Sequence, residues 1–145
     1  MLQASPEKPL AGGCQCGRVR YAITASPTEL CVCHCLECRK QSSSAFGISL
    51  FVPRAGFRVT RGTFKTWTRA TDSGRTLACA FCPDCGSRLW HERVGEKEPS
   101  PIISVKAGSL DEPVDLREAA HYWTKRKLEG VNIPKGAEQH ADEAD

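Results

Sequence analysis

Nine cysteines are the feature that most constrains how this 145-residue chain can fold. They are clustered in three short groups and not spread along the sequence. Cysteines one or two residues apart can bind one soft metal ion together, and zinc takes about four thiolate or imidazole ligands. The chain therefore has enough ligands for two zinc ions. The groups are Cys14-x-Cys16, Cys31-x-Cys33-His34-Cys35-x-x-Cys38 and Cys79-x-x-Cys82-x-x-Cys85.

The cysteine count and the start of the chain argue against a disulfide framework. Nine is an odd number, and residues 1–9 include Glu7 and Lys8 and lack the apolar run of a secretory signal. In a reducing compartment, clustered cysteines are typically metal ligands or catalytic groups. We therefore expect a cytoplasmic protein that binds zinc.

Composition argues against two classes of partner. No apolar stretch approaches the length of a membrane span, so no membrane association is expected. The formal net charge is only +3, and lysine and arginine are spread along the chain. Because nucleic-acid binding leaves a basic stripe or patch, a nucleic-acid partner is not favoured. The sequence does not indicate an oligomeric state.

The chain has the length of one domain. Residues 1–11 are predicted to be a flexible leader, residues 12–133 the domain, and the polar residues 134–145 a disordered tail. Short apolar or alternating runs bounded by Gly and Pro predict a mainly β fold. Strands are predicted at 17–23, 30–35, 45–52, 75–81, 87–91 and 102–107, with a hairpin formed by 57–62 and 64–68 that turns at Gly62.

The first and last cysteine pairs are predicted to share one zinc ion. Each pair lies on a turn followed by glycine, which permits the backbone to wrap around a metal. Four thiolates form a closed tetrahedral site, which is a structural one. The predicted ligands are Cys14, Cys16, Cys82 and Cys85.

The middle group predicts a second zinc site of a different kind. Cys33, Cys35 and Cys38 supply three thiolates from one short segment. Three protein ligands and an exchangeable fourth position are typical of catalytic zinc. Two alternatives remain open at this stage, in which Cys31 or Cys79 fills the fourth position and closes the site.

Three residues beside these ligands have candidate roles. His34 alternates with its cysteine neighbours, which favours a structural role or a hydrogen bond to a ligand over metal binding. Arg39 and Lys40 follow Cys38 directly, and two cations there could hold the carboxylate of a thiol substrate. A solvated turn is the alternative for this pair.

Taken in order, several motifs resemble the glutathione-dependent formaldehyde-activating family, also called the centromere protein V-like domain. They are Gly-x-Cys-x-Cys-Gly, Cys-His-Cys-x-x-Cys-Arg-Lys, an Ala-Phe apolar strand and Phe-Cys-x-x-Cys-Gly-Ser, over residues 12–131. The resemblance implies an Mss4-like β-tent of coiled antiparallel sheets. It also implies the same division of seven cysteines between two zinc ions. Family members commonly have glycine where this chain has Ser43, which predicts a different backbone in that loop.

The resemblance implies a zinc-dependent carbon–sulfur lyase similar to S-(hydroxymethyl)glutathione synthase. Such an enzyme would bind glutathione or another thiol at the zinc held by Cys33, Cys35 and Cys38. It would add the thiol to formaldehyde or a similar small aldehyde, or reverse that addition. The alternative hypothesis is a non-catalytic zinc module that binds a protein or nucleic acid. A third hypothesis is a redox or metal-buffering protein that uses Cys31 and Cys79.

Overall fold

The computed structural model describes residues 1–143, which fold mainly into β-strands, as the sequence predicts. The single α-helix of the described residues, α1, spans Leu36–Ser42 and lies between the third and fourth strands. The strands in chain order are β1 Leu10–Gly13, β2 Arg20–Ile23, β3 Glu29–Cys33, β4 Gly47–Pro53, β5 Phe57–Arg61, β6 Lys65–Ala70, β7 Thr76–Phe81, β8 Arg88–Val94, β9 Ile102–Lys106 and β10 Ala120–Tyr122.

The strands form two sheets. A small sheet has the order β1-β2-β5, and a large sheet has the order β10-β3-β4-β9-β8-β7-β6. All neighbouring pairs are antiparallel except β10 and β3, which are parallel. This arrangement of two β-sheets with one short helix confirms the β-rich, Mss4-like architecture expected from the sequence.

The hydrophobic core lies between the two sheets. On the large sheet, Leu50, Val105 and Trp90 occupy paired positions across neighbouring strands and are buried. Trp90 contacts two aromatic rings of the small sheet, with ring centroids 6.3 Å from Tyr21 and 4.9 Å from Phe57. Aromatic side chains supply much of the apolar area available to a core of this size. Trp90 therefore joins the two sheets.

The residues between these core positions point to the other side of the large sheet, which we call the outer face. Successive side chains of a strand alternate between faces, so Cys31, Ser49, Lys106 and His91 share the outer face. Each of these four residues is less than 10 % exposed. The large sheet thus carries an apolar face toward the core and a buried face with polar and thiol groups.

The predicted hairpin between residues 57 and 68 is wrong. β5 pairs with β2 in the small sheet, whereas β6 pairs with β7 in the large sheet. Between them, Gly62 passes close to the Arg18 carbonyl, and a Cβ at this position would lie 2.0 Å from that oxygen. Gly62 therefore lets the chain cross between sheets and does not form a hairpin turn.

The ends of the described chain lie against the domain. The amino group of Met1 pairs with Glu118, and β1 begins at Leu10, two residues before the predicted domain boundary. Of the predicted tail 134–145, residues 144 and 145 lie outside the described residues. The backbone of His140 donates to the carbonyl of His121 in β10 at 2.8 Å. In residues 1–143, no helix has both the length and the hydropathy to cross a membrane.

Candidate metal centres and active site

Two tight turns, each ending at a glycine with positive φ, present the first and last cysteine pairs. In one, the N–H of Gly17 donates to the Cys14 carbonyl at 3.1 Å, and in the other the N–H of Gly86 donates to the Cys82 carbonyl at 2.8 Å. Both glycines have a left-handed backbone, with φ of 78° and 79°. A side chain would be strained at either position, which explains why glycine follows each cysteine pair.

The fold brings the four predicted structural ligands together. All four sulfurs lie within 4.8 Å of one another, and we call this group the four-cysteine cluster: Cys14, Cys16, Cys82 and Cys85. The sulfur of Cys16 is 3.5 Å from that of Cys14 and 3.8 Å from that of Cys82. Cys82 is fully buried, whereas Cys16 is exposed.

Hydrogen bonds to sulfur favour the thiolate forms of two of the four cysteines, Cys85 and Cys14, whereas the pKa of Cys16 is raised to about 12. The hydroxyl of Ser87 contacts the sulfur of Cys85 at 3.2 Å, and this contact, with backbone N–H groups of Ser87 and Cys16, lowers the pKa of Cys85 to about 5. At Cys14, burial opposes ionisation, but the backbone N–H of Val19 donates to the sulfur at 3.2 Å and the pKa is lowered. Because thiolates are the forms that bind metal, these donors prepare the cluster for a cation.

The second group forms where β3 passes into α1. Cys33 is the last residue of β3, Cys35 caps the N-terminus of α1, and Cys38 lies in its first turn. Their sulfurs also lie within 4.8 Å of one another, and we call them the three-cysteine cluster. Cys38 packs against Gly47 of β4, where a Cβ would lie 3.5 Å from the Cys38 sulfur. The small residue at 47 leaves room for the cluster beside the sheet.

The surroundings of Cys35 in the three-cysteine cluster favour its ionisation. The thiols of Cys33 and Cys38 donate hydrogen bonds to its sulfur and lower its pKa to about 2. The backbone N–H of Cys38 adds a hydrogen bond at 3.3 Å. The same sharing of protons raises the pKa of Cys33. A divalent cation would replace the shared protons and allow all three sulfurs to ionise.

Neither alternative fourth ligand joins this cluster. Within residues 1–143, no further Cys, His, Asp or Glu groups with the three sulfurs. Cys31 is on the outer face, paired with Ser49 of β4, and burial raises its pKa to about 12. Cys79 lies in β7, opposite His91 of β8. Both thiols are buried outside the two clusters.

His34 faces a different environment from the neighbouring cysteines. Its side chain is fully buried, and its Nε2 lies 3.0 Å from Nδ1 of His121. The ring also contacts Phe46 edge-on, at 5.7 Å between centroids. These contacts agree with a structural role, in which His34 holds β10 against the start of α1.

Arg39 and Lys40 line a cleft along α1. Residues 36, 39, 40 and 43 follow helical spacing and form one side of the helix. The cleft has a volume of about 460 Å³, and Leu128 is among its lining residues. None of the three cysteines lines this cleft, which lies on the side of α1 away from Cys38 and also includes Glu37 and apolar contacts from Leu36 and Leu128.

Lys106 is the residue near the cluster that sequence reasoning missed. It is 9 % exposed, and within the described part of the chain no carboxylate forms an ion pair with it. Its Nζ donates to the hydroxyl of Ser49 at 3.0 Å. Alternation along β9 predicts which face Lys106 occupies, but only the order of the strands brings it near the cysteines.

Comparison with known proteins agrees with this geometry. The sequence profile of the family described as glutathione-dependent formaldehyde-activating enzyme matches residues 9–126. The chain belongs to this family. Membership supports an enzyme of the formaldehyde-activating, carbon–sulfur lyase kind, in a family associated with zinc. It confirms the resemblance drawn from the cysteine motifs.

A solved structure supports the fold independently. A crystal structure of a Rhodobacter sphaeroides protein, determined as a structural genomics target, superposes with a TM-score of 0.52. The two sequences are 20 % identical, and the match covers 89 % of this chain and 97 % of the other. At this identity the likeness concerns the fold alone.

Proposed function

We propose that this chain is a zinc-dependent carbon–sulfur lyase that joins a thiol, such as glutathione, to formaldehyde or a similar small aldehyde. The observation that carries the proposal is the three-cysteine cluster, which has three sulfurs and no fourth ligand among residues 1–143. A site of three protein ligands leaves one position for substrate. Family membership supplies the reaction class.

The donor sets fit zinc. A tetrahedral zinc with Zn–S bonds of about 2.3 Å separates its sulfurs by about 3.8 Å. The Cys14–Cys16 and Cys16–Cys82 sulfur distances are 3.5 and 3.8 Å. We propose that the four-cysteine cluster holds a structural zinc and the three-cysteine cluster a second one. When bound at the second cluster, zinc supplies a Lewis acid that favours the thiolate form of the substrate.

The chain's own residues set the position of the thiol substrate. Cys33, Cys35 and Cys38 come from a strand end and the first helical turn, so their positions depend on regular secondary structure. The backbone N–H of Cys38 holds the sulfur of Cys35 from the side of the helix. Sites supported by regular elements position substrate more accurately than loops do.

Arg39 and Lys40 are proposed to bind the carboxylates of glutathione. Glutathione has two carboxylates, and both lie several bonds away from its sulfur, so they can reach residues that do not contact the sulfur. The cleft along α1 has a volume of about 460 Å³ and offers two cations, one carboxylate from Glu37, and apolar contacts from Leu36 and Leu128. Arginine and lysine in such a cleft form charge-assisted hydrogen bonds to carboxylates.

Cobalt substitution tests the entry of the thiol. Cobalt(II) replaces zinc in thiolate sites, and the sulfur-to-cobalt charge-transfer band should grow when glutathione is added. Cys33→Ser should abolish that increase, whereas Cys31→Ser, which changes a cysteine outside both clusters, should preserve it. An unchanged spectrum with every thiol tried would remove the chemical basis of the proposal.

A kinetic experiment tests the reaction itself. Glutathione and formaldehyde are mixed with the zinc-loaded protein, and the rate of loss of free thiol is compared with the uncatalysed rate. The protein should accelerate the loss, and Cys33→Ser should not. Replacing Arg39 and Lys40 with alanine should raise KM for glutathione but leave KM for 2-mercaptoethanol unchanged, because the smaller thiol has no carboxylate.

A further inference from the structure

Lys106 is a buried cation whose location the structural roles described so far do not explain. Burying an ammonium group without a carboxylate partner costs free energy, and proteins rarely retain such a group in a purely structural position. In the described residues, the one hydrogen bond from its Nζ to another side chain goes to Ser49, a neutral group. The ammonium therefore has unused capacity to donate hydrogen bonds to an anion.

The register of the strands places this ammonium beside the three-cysteine cluster. Cys33 pairs with Gly47 across β3 and β4, and Ser49 lies two residues farther along the same face. With ordinary sheet spacings, the Cα atoms of Cys33 and Ser49 are about 8 Å apart. Ser49 also pairs with Lys106 of β9, the strand on the opposite side of β4 from β3. The Nζ of Lys106 extends back toward β4 and reaches the Ser49 hydroxyl.

The electrostatics of the outer face agree with this placement. Cys31 pairs with Ser49, and Ser49 pairs with Lys106, so the lysine shares its face with the residue two positions before Cys33. Burial, and to a smaller extent the nearby Lys106 ammonium, lowers the pKa of His91 to about 2. The Nε2 of His91 has no hydrogen-bond partner among the described residues. The outer face thus contains a cation, Lys106, and an unpartnered polar nitrogen, on His91, in side chains that are each less than 10 % exposed.

From this geometry we infer that Lys106, positioned by Ser49, forms an oxyanion subsite next to the three-cysteine cluster. The inference rests on the proposed function and names the group that receives the aldehyde oxygen. The subsite accepts a negatively charged oxygen attached near the sulfur of a thiol held at the cluster. No other cation of the described residues combines such burial with a place on this face.

The subsite completes the addition of the thiol to the aldehyde. A lone pair of the substrate sulfur forms the new C–S bond with the aldehyde carbon, and the π pair of the C=O bond moves to the oxygen. That oxygen takes a proton from the Lys106 ammonium, and the amine recovers from water the proton that the thiol released when it ionised. The reverse reaction uses the same groups in the opposite order. Removing one oxyanion donor typically slows such reactions by roughly 10²-fold.

A binding experiment tests the subsite without turnover. Thioglycolate and ethanethiol have the same chain length, but only thioglycolate has a negatively charged oxygen near its sulfur. Their dissociation constants are measured on the cobalt-substituted protein from the charge-transfer band. We expect Lys106→Met to reduce the preference for thioglycolate over ethanethiol by about tenfold, the usual effect of losing a charge-assisted hydrogen bond. Lys65→Met, an exposed lysine of β6, should leave the preference unchanged.

One further variant and one kinetic measurement complete the test. Ser49→Ala keeps the ammonium but removes its hydrogen-bond partner, so the preference should fall severalfold; it replaces Lys106→Met if that variant loses its metal. With formaldehyde and saturating glutathione, Lys106→Met should lower kcat by about 10²-fold with ethanethiol affinity unchanged. If the wild-type protein binds neither thiol, the proposed function and the subsite both fail. If it binds both, and neither variant changes the preference, the subsite alone is overturned.

Discussion

The hydroxyl oxygen of Ser87 lies 2.9 Å from the backbone nitrogen of Gln15 and 3.2 Å from the sulfur of Cys85. It accepts a hydrogen bond from one cysteine turn and donates one to a sulfur of the other. The two turns of the four-cysteine cluster are thus joined by a side chain that is not itself a predicted ligand. Groups that contact metal ligands commonly tune metal affinity as well as geometry.

Ser87→Ala should weaken this connection. We expect the free energy of unfolding of the zinc-loaded protein to fall by about 1 kcal/mol and the zinc affinity of the four-cysteine cluster to decrease. Urea denaturation measures the first effect, and competition with a chromophoric chelator measures the second. Ser73→Ala, which alters an exposed turn far from the cysteines, is the control. Equal zinc affinity in the wild type and Ser87→Ala would show that the hydrogen bond has no role in metal binding.

Loss of a cysteine should have different consequences in the two clusters. Cys14→Ser or Cys82→Ser should unfold the domain or make it insoluble, because their cluster joins turns from opposite ends of the core. Cys38→Ser should stay folded. Elemental analysis should give two zinc ions per chain for the wild type and about one for Cys38→Ser.

Cys79→Ser is the matched control, since Cys79 is buried but belongs to neither cluster. It should retain both zinc ions. If Cys38→Ser and Cys82→Ser fold equally well, the division into structural and substrate-binding sites is wrong. A wild-type content of one zinc or fewer, after growth in zinc-sufficient medium, would also contradict the two-site assignment.

Ser43 adopts a backbone conformation that favours glycine. It follows α1 with φ of 50° and ψ of 41°, and its N–H donates to the Lys40 carbonyl at 3.2 Å. The left-handed conformation costs a residue with a side chain roughly 1–2 kcal/mol, and glycine avoids this cost. Part of the stability gained is lost again because glycine gives the unfolded chain more conformational freedom. Ser43→Gly should therefore raise the free energy of unfolding by about 0.5 kcal/mol, measured by urea denaturation. Ser44→Gly, at the next residue, should not.

His91 should make stability depend on pH. Burial lowers its pKa from 6.5 to about 2, so between these values the unfolded chain binds one more proton than the folded chain. The free energy of unfolding therefore falls as the pH drops through this window, by at most about 1.4 kcal/mol per pH unit. His91→Leu should reduce the loss measured between about pH 7 and about pH 5.5 by about 1 kcal/mol.

Comparing the wild type with the variant separates the effect of His91 on stability from the effect of acid on the metal sites. Acid also protonates the cysteines, but that effect is common to the wild type and the variant. His140→Leu, which removes a partly exposed ring beside Glu138, is the control. An identical pH dependence in the wild type and His91→Leu would show that His91 does not titrate on unfolding.

The sequence was sufficient for features that depend on neighbouring residues. The spacing of Cys33, Cys35 and Cys38 is local, so their clustering follows from one strand end and one helical turn. The pairing of the first and last cysteine turns was also predicted, because zinc requires about four ligands and each turn supplies two. The same requirement does not fix the path of the chain between the turns.

Features that depend on distant strands were not predictable. The hairpin prediction for residues 57–68 was wrong because alternation in each strand is compatible with either sheet, and the Arg18–Gly62 approach decides between them. The nearness of Lys106 to the cysteines depends on β4 lying between β3 and β9. No local pattern in the sequence contains that order. The left-handed conformation of Ser43 was likewise not expected of a serine.

The separation of cysteines along the chain has a consequence for assembly during synthesis. Cys33, Cys35 and Cys38 come from six consecutive residues, whereas Cys16 and Cys82 are 66 residues apart. Closing the longer segment costs more entropy and requires both of its ends to have left the ribosome. A nascent chain can therefore offer three thiolates to a cation long before Cys82 is translated. We therefore expect the three-cysteine cluster to bind its metal before the four-cysteine cluster does. When zinc is scarce during translation, the four-cysteine cluster should remain empty, and the fold that depends on it should not be completed.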